Sequence, residues 1–89
     1  MQIEKSPSTV FNLLEDKTGV LLNLDTLVYY SLNRTGAAIW EQIESEKQVS
    51  LDDLARAVCE RFDIDEHSAR QHLRAFVDRL VELQMARTV

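Results

Sequence analysis

The sequence predicts a small α+β domain in which a three-stranded antiparallel sheet is followed by three helices. Three observations give this order. Over residues 10–32, short apolar runs rich in Val, Leu, Phe and Tyr are separated by polar turns, the pattern of half-buried strands. From Asn33 onward, apolar residues recur at helical spacing, with Ser50 and Asp65 placed as N-caps of the later two helices. The gaps between the apolar runs are too short to hold crossover helices, so the strands must pair antiparallel.

The elements follow in chain order. Residues 1–9 are polar and contain Pro7, and a loosely ordered lead-in is expected there, ahead of one domain over 10–89. Residues 10–14 form the first strand. Glu15-Asp16-Lys17-Thr18-Gly19 is a turn whose glycine suits a positive φ. Residues 20–24 and 27–32 form the second and third strands, joined by Asp25-Thr26. Between Thr18 and Asn33 the only charge is Asp25, as expected of a meander with a buried face.

The first helix begins at Asn33 or Thr35 and reaches about Glu44, with Ala37, Trp40 and Ile43 on one face. Gly36 in its first turn is costly unless a neighbour approaches closely there. The second helix has Ser50 as N-cap and Asp53 three residues on, close to a capping box. Its apolar stripe is Leu51, Leu54, Ala55, Val58, Cys59 and Phe62. The third starts at Asp65 as N-cap and runs to about Gln84, burying Ala69, Leu73, Phe76, Leu80 and Leu83. Beside that stripe, Arg70, Arg74, Val77 and Val81 share a second face. This face is either a solvated flank with snorkelling arginines or one wall of a groove.

Composition narrows the function classes. A chain of 89 residues holds a single small core. A hydrophobic share of 45% against 28% charged excludes a disordered chain. The net charge of −5 argues against a dedicated nucleic-acid binder, which carries a basic footprint. Cys59 is the one cysteine and has no internal partner, which fits a reducing, cytoplasmic setting. The polar start shows no secretory signal. The apolar runs fall far short of the ~20 residues that span a bilayer, so no membrane partner is expected.

Catalytic arrangements are poor. His67 and His72 stand five residues apart, about 500° around a helix, and share no face. Cys59 lies on an apolar stripe and reads as a buried thiol. Asp52, Asp53, Asp63, Asp65 and Glu66 gather at helix ends, where they cap and complement the dipole. No glycine-rich phosphate loop and no Cys/His metal pattern is present. The expectation is a protein that is not an enzyme and holds no cofactor or metal.

The third strand carries β-branched and aromatic residues and no Lys, Pro or Gly. If it lies at a sheet edge, nothing in its sequence protects that edge from a partner strand. Alternate residues face opposite sides: Val28, Tyr30 and Leu32 form one set, Leu27, Tyr29 and Ser31 the other. The alternation alone does not decide which set faces the core. Leu32 is assigned to the core because it feeds directly into the first helix.

Several segments together resemble the PqqD family (pyrroloquinoline quinone synthesis protein D). They are Gly19-Val20-Leu21-Leu22-Asn23-Leu24, then Tyr29-Tyr30-Ser31-Leu32-Asn33-Arg34-Thr35-Gly36 and Ile39-Trp40. A Leu-Asp-Asp-Leu-Ala helix, the Phe62-Asp63-Ile64-Asp65 corner and a final helix with Phe76 and Leu80 agree. The resemblance spans residues 10–86. It implies a winged-helix-like fold and a non-catalytic peptide chaperone. Such a protein binds the leader of a ribosomally made precursor peptide and presents it to a modifying enzyme, such as a radical SAM protein. It also implies docking of the leader as an added strand on the third strand, in a cleft lined by the third helix. Leu27, Val28, Tyr29, Tyr30, Ser31 and Leu32 are then the docking edge, and Arg70, Arg74, Val77 and Val81 the opposing wall.

Two other functions compete. The bare edge could pair with its own copy, making a homodimer or an enzyme-tethering domain. The third helix could read nucleic acid through Arg70, Arg74 and Arg79. The acidic balance and the interleaved Asp78 and Glu82 oppose that.

Overall fold

The computed structural model describes residues 2–89. They run β1 (Gln2–Lys5), β2 (Thr9–Leu13), β3 (Gly19–Asn23), β4 (Val28–Leu32), α1 (Arg34–Ser45), β5 (Val49–Ser50), α2 (Leu51–Phe62), α3 (Glu66–Glu82) and β6 (Ala86–Thr88). The expected α+β meander is present as the antiparallel sheet β2-β3-β4. Phe11 stands opposite Leu21 and Leu21 opposite Tyr30, while Thr9 faces Asn23 and Asn23 faces Val28.

A second sheet, in the order β5-β1-β6, was not legible in the sequence. It corrects the expectation of a loose lead-in over 1–9. Gln2–Lys5 is its central strand, paired antiparallel with Val49–Ser50 on one side and Ala86–Thr88 on the other. Ile3 is fully buried in the common core. Met1 lies outside the described residues. A four-residue strand with one inward apolar side chain is too short to show a period, and its partners are distant in the chain.

The helices start where the caps predict. Asn33 Oδ1 accepts from the Gly36 N–H at 2.8 Å, Ser50 Oγ from Asp53 N–H at 3.0 Å, and Asp65 Oδ2 from Ser68 N–H at 3.0 Å. Each bond satisfies an orphan donor of a first turn. Gly36 meets the expected close approach, because a Cβ there would lie 3.3 Å from Asn33 Oδ1 and 3.5 Å from Leu32 Cβ. Gly19 differs from expectation. The positive φ of the first turn falls on Lys17, at 74°. Gly19 instead makes room for the Phe11 ring, whose Cε1 would lie 2.4 Å from a Cβ.

Trp40, Ile43, Leu54, Leu73, Val77 and Leu80 fill the centre between the helices, with Ile3 from the second sheet and Met85 from the turn between α3 and β6. Two buried polar residues tie the meander to the end of α3. Asn23 Nδ2 donates to the Gln84 carbonyl at 2.7 Å, and its Oδ1 accepts from Asp25 and Thr26 N–H at 2.8 and 3.1 Å. Thr9 Oγ1 donates to the Met85 carbonyl at 3.1 Å, which also accepts from Ser6 N–H at 3.1 Å. Gln84, with φ of 60°, turns the chain out of α3 toward β6.

Replacing Asn23 with Ala strands the Gln84 carbonyl and two backbone donors. Urea unfolding should show a loss of about 1 kcal/mol, because the partners are only partly shielded from water. A second expectation concerns acid. Hydrogen bonds hold three carboxyls below their usual values: Glu4 through Arg87 and then Gln48, Asp16 through Thr18, and Asp65 through Ser68. The stability they add is full above their unfolded values of roughly 4 and is lost as pH falls through the lower folded values. The urea midpoint should therefore drop as the pH is taken below about 4. Asp65→Asn, a neutral cap, should flatten part of that drop.

Candidate functional site

β4 is paired with β3 on one edge only, and among the described residues no strand covers its other edge. Its sequence, Val-Tyr-Tyr-Ser-Leu, contains none of the residues that blunt an edge. Leu32 is buried and Tyr30 half-buried, whereas Tyr29 is 69% exposed. The Val28, Tyr30, Leu32 set therefore turns inward, as the assignment of Leu32 to the core requires. Leu27 falls outside the strand. It sits in the preceding turn with φ of 58°, and its N–H donates to the Asn23 carbonyl at 2.7 Å.

Along the free edge lies an apolar cavity of about 380 Å³ between β4, the start of α1 and α3. Tyr30, Leu32, Ile39, Ile64, Leu73 and Phe76 supply most of its apolar lining. The left-handed Asp63, with φ of 53°, turns the α2–α3 corner that brings Ile64 there. Ser31, Asn33, Thr35 and His72 are the polar lining groups, and no Asp, Glu, Lys or Arg reaches it.

The wall opposite β4 is not the one the sequence suggested. Val77 is fully buried in the core and presents nothing to a groove. Arg70 is half-buried and Arg74 and Val81 are exposed, but none lines the cavity. His72 and Phe76 do, and each stands two residues, about 200° of helix, from Arg70 and Arg74 respectively. The cavity thus opens at the margin of the core stripe itself. The available signal was an aromatic residue, Phe76, at the edge of that stripe, left half-buried because nothing covers it.

Charge on α3 is internally matched. Arg70 pairs with Asp52 and with Glu66, bonds that push its already high pKa further up. Arg74 pairs with Asp78 at 3.6 Å and Arg79 with Glu82 at 3.3 Å. Exposed pairs of this kind add little stability, but they leave α3 without a free basic stripe. Among the described residues no group of three His, Cys, Asp or Glu side chains could hold a metal ion. No described helix is long and apolar enough to cross a membrane. Cys59 is partly buried against the core, close to its expected place.

The family described as coenzyme PQQ synthesis protein D (PqqD) matches residues 18–86. Two solved structures share the fold. One, TbiB1 in complex with the TbiA(beta) leader peptide, is 26% identical with a TM-score of 0.86, over 97% of this chain and 96% of that one. The other, lasso peptide synthetase B1 complexed with the leader peptide, is 23% identical with a TM-score of 0.80, over 97% and 98%. No curated protein matches the chain.

The two residues that share the α3 wall should separate stability from site shape. Leu73 is 1% exposed, so Leu73→Ala should cost about 3 kcal/mol in urea unfolding. Phe76→Ala, at a half-buried position, should cost about 1 kcal/mol, well below the fully buried case, while widening the cavity.

Proposed function

The chain belongs to the coenzyme PQQ synthesis protein D (PqqD) family, and on that premise we propose that it is a non-catalytic leader-peptide binding domain. It takes the leader of a ribosomally made precursor peptide as an added strand along β4 and presents it to the enzyme that modifies the peptide. The observation that carries this reading is a bare strand edge adjoining an uncharged apolar cavity. Two proteins of the same fold, in complex with leader peptides, support it.

The chemistry suits a peptide. The unpaired edge of β4 offers main-chain donors and acceptors in a fixed row, which set the register of an incoming strand. Each such bond contributes only about 0.5–1.5 kcal/mol net, and the leader loses conformational freedom on docking. The surplus has to come from apolar side chains entering the cavity, at about 25 cal/mol for each Å² removed from water. Alternate residues of an added strand point that way. Groups that hold a peptide are therefore present, and His72 stands in the lining with no carboxylate, lysine or arginine beside it. The free thiol of Cys59 accords with action in the cytoplasm, where precursor peptides are made.

The reading through nucleic acid is disfavoured because Arg70, Arg74 and Arg79 are each engaged by carboxylates. Self-pairing through β4 would use the same edge as the leader, so it should compete with binding.

Single proline replacements through Val28–Leu32 test strand addition. Where the lost N–H faces the free edge, the variant should keep its circular dichroism spectrum and lose about two- to tenfold in affinity for the leader peptide encoded beside the chain, from the one main-chain bond removed. Folded proline variants that bind like the parent would refute it.

A further inference from the structure

A strand added at β4 has two faces, and the cavity accounts for one of them. In the meander the outward residues form two cross-strand rows, Val10-Leu22-Tyr29 and Asn12-Val20-Ser31. Neither row contains a charged side chain, although 28% of the chain is charged. Val10 is 44% and Tyr29 69% exposed, and Leu24 and Leu27 add apolar surface at the hairpin end, at 54% and 71%. Contiguous apolar patches of this kind are often functional.

The position of Tyr29 decides what covers the face. It belongs to the strand whose free edge adjoins the cavity, so the outward surface is continuous with the proposed docking edge. A strand laid along β4 sets one side chain beside Tyr29, with Cβ atoms roughly 5 Å apart, while its sequence neighbours point into the cavity. A second copy of the chain is a poorer fit. The large exposed apolar residues of the face are Val10, Leu24, Leu27 and Tyr29, few beside the roughly 20–30 residues a side of a stable interface.

Resting on the strand-addition reading, we infer that the bound peptide is gripped on both faces, so that the segment recognised is uncharged and apolar at consecutive positions, and not amphipathic. The residue beside Tyr29 is selected for bulk and apolarity. The residue beside Ser31, which is small and exposed, is left free. A charged residue beside Tyr29 would lose water to an apolar surface with no counter-charge in either row.

The test is selection of a displayed library of random twelve-residue peptides on the whole domain, in parallel for the parent and Tyr29→Lys, both checked for fold by circular dichroism. The parent pool should carry bulky apolar residues at the inward positions, two residues apart. It should also show Val, Ile, Tyr or Phe enriched roughly 1.4- to 5-fold at the outward position beside Tyr29, the range that cross-strand pairs give. Tyr29→Lys should keep the inward preference and turn that one outward position to Asp or Glu. An inward pattern with an outward position that matches the input library in both pools would overturn the two-faced grip and leave strand addition standing. A pool with no apolar preference at positions two residues apart would overturn strand addition, and the inference with it. A parent whose mass doubles with concentration while Tyr29→Lys stays monomeric would assign the face to a second copy and overturn the inference.

Discussion

The cleft depends on a sheet that is held to α3 at one end and kept off it at the other. Asn23 and Thr9, opposite one another in the meander, bond the carbonyls of Gln84 and Met85 where α3 ends. At the other end, β4 passes through the Asn33 cap into α1, and Leu32 and Trp40 anchor that junction in the core. β4 therefore runs against α3, with Val28 near the helix end and Leu32 beside its earlier turns. Between the two anchors the wall opposite β4 is left to Leu73, Phe76 and His72, and the space is not filled. Buried side-chain hydrogen bonds suit this task, because they fix a register that apolar contact alone leaves free to slide.

The cleft's lack of charge follows from how the helices spend theirs. The arginines of α3 are engaged by carboxylates on α2 and on α3 itself, and the acidic residues gather at helix starts, where they cap. Recognition is thus left to backbone pairing and burial of apolar side chains. Both are short-ranged and little affected by salt, unlike the electrostatic capture of a nucleic acid. On the strand-addition reading, the peptide is chosen by fit along one strand, with little gain from long-range steering.

The meander, the caps at Ser50 and Asp65 and the close approach at Gly36 were legible because each rests on neighbours in sequence, whereas the start of α1 stayed open between Asn33 and Thr35 until the Asn33 cap decided it. Ser50 caps Asp53 and Asn33 caps Gly36 whatever the rest of the chain does. The second sheet was not legible, because Ile3 pairs with Val49 and Thr88, and strands of two to four residues carry no readable period. The bare edge of the third strand was legible from its composition; the wall facing it was not. Val77 follows the spacing of Arg70 and Arg74, yet the core beneath α3 is wide enough to bury it. The true wall sits on the opposite margin, where Phe76 reads as core in a helical stripe and half of it faces a cavity.

The most direct measurement is titration of ¹⁵N-labelled protein with the leader peptide encoded beside the chain, following backbone amide shifts. Strand addition in the cleft predicts shifts concentrated at Val28–Leu32, with a second group around Leu73 and Phe76. Arg70 and Arg74, on the far side of α3, should move little. Shifts centred on Arg70 and Arg74 with β4 unchanged would contradict the account.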